Sequence, residues 1–162
     1  MVVITYDKND MVLYQEYVEA AYARDALARL FHDAQVKVAQ FHETFGHPIA
    51  ETPGLVGEGE SGLRYALIKE ELDELREAQA AGDLVEVADA LGDLLYVVYG
   101  TALAYGINLK PVFDEVHRSN MSKADADGRP VPHPTVPGKI GKSDLFTPPD
   151  IAGVLKKQGW EG

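Results

Sequence analysis

Over most of the chain, apolar residues recur at three- and four-residue steps, the period of a helix with one buried face. From Gln15 to Phe45 that spacing is held by Val18, Tyr22, Leu27, Leu30, Phe31, Val38 and Phe41. Asp33 is placed to cap a second helix at a break beside His32. Gly46-His47-Pro48 closes the pattern, because Gly suits the position after a helix and Pro cannot continue one. Residues 46–60 are dense in Gly and Pro and read as a loop. A helix is expected from Ser61 to about Ala81, with Leu63, Ala66, Leu67, Leu72, Leu75 and Ala78 as its buried stripe. Gly82-Asp83 is then a turn. Asp83 is a suitable N-cap for a helix that runs to about Tyr105 and is closed by Gly106. Beyond Ala90 this helix is apolar on every side, which predicts burial on every side. Asn108 caps a shorter helix, Leu109 to Met121, whose first turn tolerates Pro111.

The two ends read differently. Val2, Ile4 and Tyr6, then Met11 and Leu13, alternate around Lys8-Asn9-Asp10, the outline of a small N-terminal hairpin. From Ser122 onward Pro and Gly dominate, with Pro130, Pro132, Pro134, Pro137, Pro148 and Pro149 in one stretch. Asp150 then caps a last short helix, Ile151 to Lys157. The expectation is an all-α fold with a four- or five-helix bundle core and a long Pro/Gly-rich C-terminal segment. Residues 1–35 are read as an N-terminal extension and 36–162 as the domain.

Length and composition narrow the classes. The chain has 162 residues, enough for one domain with a real core. It lacks cysteine, which removes disulfides and thiolate metal sites. No uninterrupted apolar run reaches the ~18 residues of a membrane span, and Met1 to Tyr6 has no secretory pattern. A cytoplasmic protein with no membrane partner is expected. The formal net charge of -11 argues against nucleic acid as a partner. Acids crowd between Glu70 and Glu115, whereas bases outnumber acids between His117 and Lys142. An acidic middle followed by a basic tail suits a metal-chelated polyphosphate.

The acids have a pattern. Glu71 and Glu74 project from one side of their helix, with Glu70 beside Glu74. On the next helix Glu86, Asp89 and Asp93 share a face with Ala90 and Val97. The Gly82-Asp83 turn makes the two helices antiparallel neighbours, so their carboxylates converge. Like charges a few Å apart raise each other's pKa and destabilise the fold unless a cation sits among them. Hard oxygen ligands favour Mg2+ or Mn2+, and the absence of Cys and of paired His disfavours zinc. E-E-x-x-E alone is more often a solvated face. Asp89 and Asp93, leading into a wholly apolar run, are harder to explain as surface.

Glu70-Glu71-x-x-Glu74, the D-x-x-x-D of Asp89 and Asp93, and Leu94-Leu95-Tyr96-Val97-Val98-Tyr99-Gly100 together resemble the all-α nucleoside triphosphate pyrophosphohydrolases. That superfamily includes MazG-like enzymes, dimeric dUTPases and phosphoribosyl-ATP pyrophosphohydrolase. The resemblance extends through Phe41-His42-Glu43-x-Phe45-Gly46-His47-Pro48, Leu63-Arg64 and Val116-His117-Arg118-Ser119-Asn120-Met121-Ser122-Lys123, and covers roughly residues 36 to 152. It implies hydrolysis between the α and β phosphates. It implies Mg2+ held by Glu71, Glu74 and Asp93, with Glu70 as ligand or base, and Asn120 and Lys123 as base or phosphate contacts. The family's Glu three residues before Asp93 is Ala90 in this chain. Asp89 is the expected replacement, with Glu86 in reserve.

The activity expected is Mg2+-dependent conversion of a nucleoside or deoxynucleoside triphosphate to the monophosphate and pyrophosphate. Two alternatives stand beside it: phosphoribosyl-ATP pyrophosphohydrolysis, and a helical regulator that binds metal or nucleotide without turnover. A helix apolar all round is hard to cover in one small bundle, so a homodimer or homotetramer is expected. Tyr96 and Tyr99 are read as core residues, and Arg64 as the partner of an acid.

Overall fold

The computed structural model describes residues 33–162. Among them the protein is all-α. Five helices are present, no strand, and one isolated bridge between Pro132 and Ile140. The expected hairpin at residues 1–14 and the helical pattern before Asp33 lie outside the described residues. Helix α1 covers residues 33–45, α2 Glu58–Ala81, α3 Leu84–Ala104, α4 Leu109–Met121 and α5 Ile151–Lys157. Residues 33–35 already belong to the helical body: Gln35 Nε2 donates to Ile107 O at 2.8 Å, and Gln35 Oε1 accepts from Leu109 N at 3.1 Å.

Local chemistry sets most helix ends. Asp83 caps α3 by accepting from Val85 N at 3.0 Å and Glu86 N at 3.3 Å. Asn108 caps α4 through Lys110 N at 3.1 Å, and Asp150 caps α5 through Gly153 N at 2.9 Å. Gly82, at φ 71°, ends α2 in the left-handed region. The start of α2 differs from expectation. It begins at Glu58, with Gly57 as a cap that offers no side chain. Glu58 and Glu60 in the first turn complement the positive end of the helix dipole there. Ser61 lies inside that turn, its hydroxyl donating to Glu58 O at 3.0 Å.

Helices α2 and α3 form an antiparallel hairpin, packed along their length. The loop after α1 lies against the end of α3: Ala50 N donates to Leu103 O at 2.9 Å, and Gly54 N to Tyr105 O at 3.0 Å. Gly106, at φ 68°, leaves the space that the Thr52 carbonyl fills. At the other end Glu115 and Arg118 tie α4 to the C-terminal segment. Arg118 donates to Glu115 at 2.7 and 2.8 Å, to Thr147 Oγ1 at 2.6 Å and to Pro148 O at 2.9 Å. Glu115 Oε1 also accepts from Asp150 N at 2.7 Å. These contacts hold its carboxyl down to about 2, the Arg118 bonds chiefly and the Asp150 amide next. Residues 122–149 have no helix of their own but are held by Ser122, Ser143 and Thr147 hydrogen bonds.

Burial departs from the expected stripe. On α2, Ala78 and Arg64 are buried and Leu67 and Leu75 half-buried, while Leu63, Ala66 and Leu72 are exposed. On α3 only Ala90, Gly100, Ala102 and Ala104 are buried within the chain. Leu84, Val85, Leu91 and Leu95 face outward. Averaged over its length α3 is apolar enough to cross a membrane. Glu86, Asp89 and Asp93 interrupt it, and its small-residue face is spent on α2 and the loops.

Candidate functional site

The α2–α3 hairpin turns about Gly82, and its facing residues pair in register around that point. Ala78 and Glu86 line one groove next to the turn. Two helical turns further, Glu71 lies within the field of Asp93. Two turns further again, Arg64 Nη1 stands 3.4 Å from where a Gly100 side chain would begin. Seven residues along a helix rise about 10 Å. The hairpin therefore sets three layers along one seam: an acidic groove, a carboxylate cluster and a buried arginine beside Gly100.

In the middle layer Glu71 Oε2 is buried without a hydrogen-bond partner. Burial pushes the Glu71 carboxyl up, and the charges of Glu74, Asp93, Glu70 and Asp89 push it further. The four neighbours are exposed around it. The structure thus brings five of the expected residues into one electrostatic neighbourhood, contributed by both helices. Among the described residues no three His, Cys, Asp or Glu side chains stand close enough together to hold a metal ion. The arrangement is an open field of carboxylates with one desolvated member. Lys69 and Asp73, on the same helix, pair with each other on the surface and stay out of it.

Glu86 belongs to the first layer. It lines a groove of about 430 Å³ with Glu74, Glu77, Asp83 and Asp89. Ala90 is buried on the groove floor at 3% exposure, so the position of the family's missing glutamate is filled by packing. Asn120 and Lys123 sit at the end of α4. Lys123 Nζ donates to Asn120 Oδ1 at 2.7 Å, and Lys123 O accepts from Ser143 N. Their described polar contacts are to each other and to the C-terminal segment, not to the carboxylates.

The third layer was not anticipated. His42 and Arg64 are 2% and 4% exposed. Arg64 Nε donates to Glu60 Oε1 at 2.6 Å, which bears out the expected acid partner, but Arg64 Nη2 is buried with nothing to donate to. His42 Nδ1 lies 2.9 Å from Pro48 O and carries the proton there, leaving Nε2 as a lone pair beside Gly100. Burial lowers the His42 pKa, with Arg64 and His47 adding to it against the pull of the Pro48 bond. The imidazole is therefore neutral at pH 7. Beside His42 lies an aromatic cluster: Phe41 stacks on His47 at 5.7 Å and meets Tyr96 edge-on at 5.5 Å. Tyr96 is 38% exposed, against the expectation of a core residue. Tyr99 is half-buried, and burial raises its hydroxyl pKa. The only sequence signal for this layer is the two-turn spacing of Arg64 from Glu71 and of Gly100 from Asp93.

The profile of the family described as phosphoribosyl-ATP pyrophosphohydrolase matches residues 38–120, which contain all three layers. A protein of Acanthamoeba polyphaga mimivirus, described as uncharacterized, is 38% identical over 102 residues, covering 57% of this chain. The chain spans 36% of that relative's length. With the all-α hairpin and its facing carboxylates, the match identifies the chain as a member of the phosphoribosyl-ATP pyrophosphohydrolase family, within the MazG-like all-α nucleoside triphosphate pyrophosphohydrolases.

Proposed function

We propose that the protein hydrolyses a nucleoside or deoxynucleoside triphosphate to the monophosphate and pyrophosphate, with Mg2+ as its cofactor and Mn2+ as a substitute. The observation that carries this reading is Glu71: a buried carboxylate oxygen without a donor, among four further carboxylates. A buried polar atom left unsatisfied costs roughly 1–3 kcal/mol and asks for a missing partner. A hard cation is the partner that also relieves the repulsion. The donor chemistry fits, since carboxylates from both helices share one electrostatic neighbourhood, and their side chains would draw together around the ion.

Glu71, Glu74 and Asp93 would hold the ion, with Asp89 standing in for the glutamate replaced by Ala90. When bound, the ion supplies charge neutralisation of the polyphosphate and Lewis acidity toward the attacking water. Glu70 is exposed next to Glu71 and free to take the proton of that water. Asn120 and Lys123, already paired, offer an amide and a point charge to substrate. The exposed Leu91 and Leu95 on α3 support a partner on that face, so the protein is proposed to act as a homo-oligomer. We place it in the cytoplasm, with neither nucleic acid nor membrane as a partner.

A second reading keeps the site and takes phosphoribosyl-ATP as substrate; the family's description favours it. The test is pyrophosphate release from a panel of ribo- and deoxyribonucleoside triphosphates and phosphoribosyl-ATP, with and without Mg2+. Release from a triphosphate only with divalent metal is expected. Turnover of phosphoribosyl-ATP alone would establish the second reading, and no release from any of them would end both.

A further inference from the structure

The described residues contain two orphaned buried side-chain atoms, Glu71 Oε2 and Arg64 Nη2. They have opposite character, they lie on the same face of α2, and they are about 10 Å apart along the helix. Glu71 requires a cation. Arg64 requires an acceptor, because a guanidinium only donates. Glu60 already occupies Nε, and among the described residues no acceptor is hydrogen-bonded to Nη2. One ligand satisfies both ends: a nucleotide whose phosphates are chelated beside Glu71 and whose base lies two turns further on.

We propose that Arg64 reads the base, its Nη2 donating to a carbonyl oxygen of a keto-bearing base while the Phe41–Tyr96 cluster covers the ring. The inference rests on the nucleotide-hydrolase reading above. Three features support it. Tyr96 lies on α3 between Asp93 and Gly100, and is therefore between the two layers. The exposed rings of Phe41 and Tyr96 offer the apolar faces on which bases stack. Gly100 admits both His42 Nε2 and Arg64 Nη1, since any Cβ there would meet Nε2 at 2.9 Å. Because Nη2 is buried, the base reaches it through side-chain movement of the kind common on binding. An exocyclic amino group presented to Nη2 would set donor against donor, and adenine carries no carbonyl at all.

The experiment is calorimetric binding of non-hydrolysable α,β-methylene analogues of dUTP, dGTP and dATP to the full chain with Mg2+. Wild type is expected to bind at least one keto-bearing analogue about tenfold or more tighter than the dATP analogue, the size of one hydrogen bond from a charged donor. Arg64→Met is expected to lose that difference to within about threefold while Mg2+ affinity stays unchanged. Arg64→Lys, which keeps the charge and loses the fork, is expected to retain part of it. Should Arg64→Met fail to fold, the wild-type ranking and Arg64→Lys decide. Equal binding of all three analogues by wild type, or selectivity unmoved in the variants, overturns the inference and leaves the hydrolase reading standing. Selective binding without pyrophosphate release from any triphosphate would sink hydrolysis and leave Arg64 as the base reader.

Discussion

Glu71 is the residue on which the chemistry turns, and its surroundings give it a signed pH effect. Its carboxyl pKa is raised by burial and by Glu74, Asp93, Glu70 and Asp89. A carboxyl whose folded pKa exceeds the unfolded value holds more protons in the folded state, so stability falls as pH rises through that window. The metal-free protein should therefore melt higher near pH 4 than at pH 7 as far as this residue is concerned. Glu71→Gln should raise the pH 7 melting temperature without metal and flatten the dependence. Differential scanning fluorimetry checks this; a lower melting temperature for Glu71→Gln would show the carboxylate is satisfied by some other route. The carboxylate pair across the turn was legible because one-turn spacings and an N-capping Asp83 are local signals. Arg64 was not. An arginine reads as surface until its opposite position is known to be Gly100, and that depends on the register of another helix.

Helix boundaries show the same division. The limits of α4 and α5 follow from Asn108 and Asp150, whose side chains close their own first turns. The start of α2 was misplaced because Gly57 caps without a side chain and the helix begins on Glu58. Two predictions belong here. Gly100→Ala would drive a methyl to 2.9 Å from His42 Nε2 and 3.4 Å from Arg64 Nη1, where α3 meets α1 and α2. It should cost about 1–3 kcal/mol of stability, measured by urea unfolding; a neutral result would mean the crossing is slack. Glu115→Gln should loosen α5 from α4. Because the Glu115 pKa is depressed to about 2, its contribution is present above the unfolded carboxyl range and is lost as pH falls toward about 2. Hydrogen exchange of residues 150–157 should quicken in the variant at pH 7 and differ little from wild type near pH 2. Unchanged protection at pH 7 would deny the clamp a role.

The molecule as a single chain leaves much apolar surface bare. Leu91 and Leu95 of α3 are 47% and 54% exposed, although the helix is apolar enough to demand burial on all sides. The reading that every face of α3 is buried is met only on its small-residue side, where Ala90, Gly100, Ala102 and Ala104 pack within the chain. A second copy packed on that face would supply the rest. Sedimentation velocity should show a dimer or larger assembly, and Leu95→Asp should shift it toward monomer with loss of activity. A wild-type monomer at micromolar concentration would rule this out.

Cation binding by carboxylates from two helices is the property on which the proposed chemistry depends. Electron paramagnetic resonance of Mn2+ titrated into wild type, Glu71→Gln and Asp93→Asn tests it without relying on turnover. Saturable binding in wild type, competed by Mg2+ and weakened at least about tenfold in each variant, the scale of losing one charged contact, is the predicted result. Binding by wild type that neither substitution alters would contradict it.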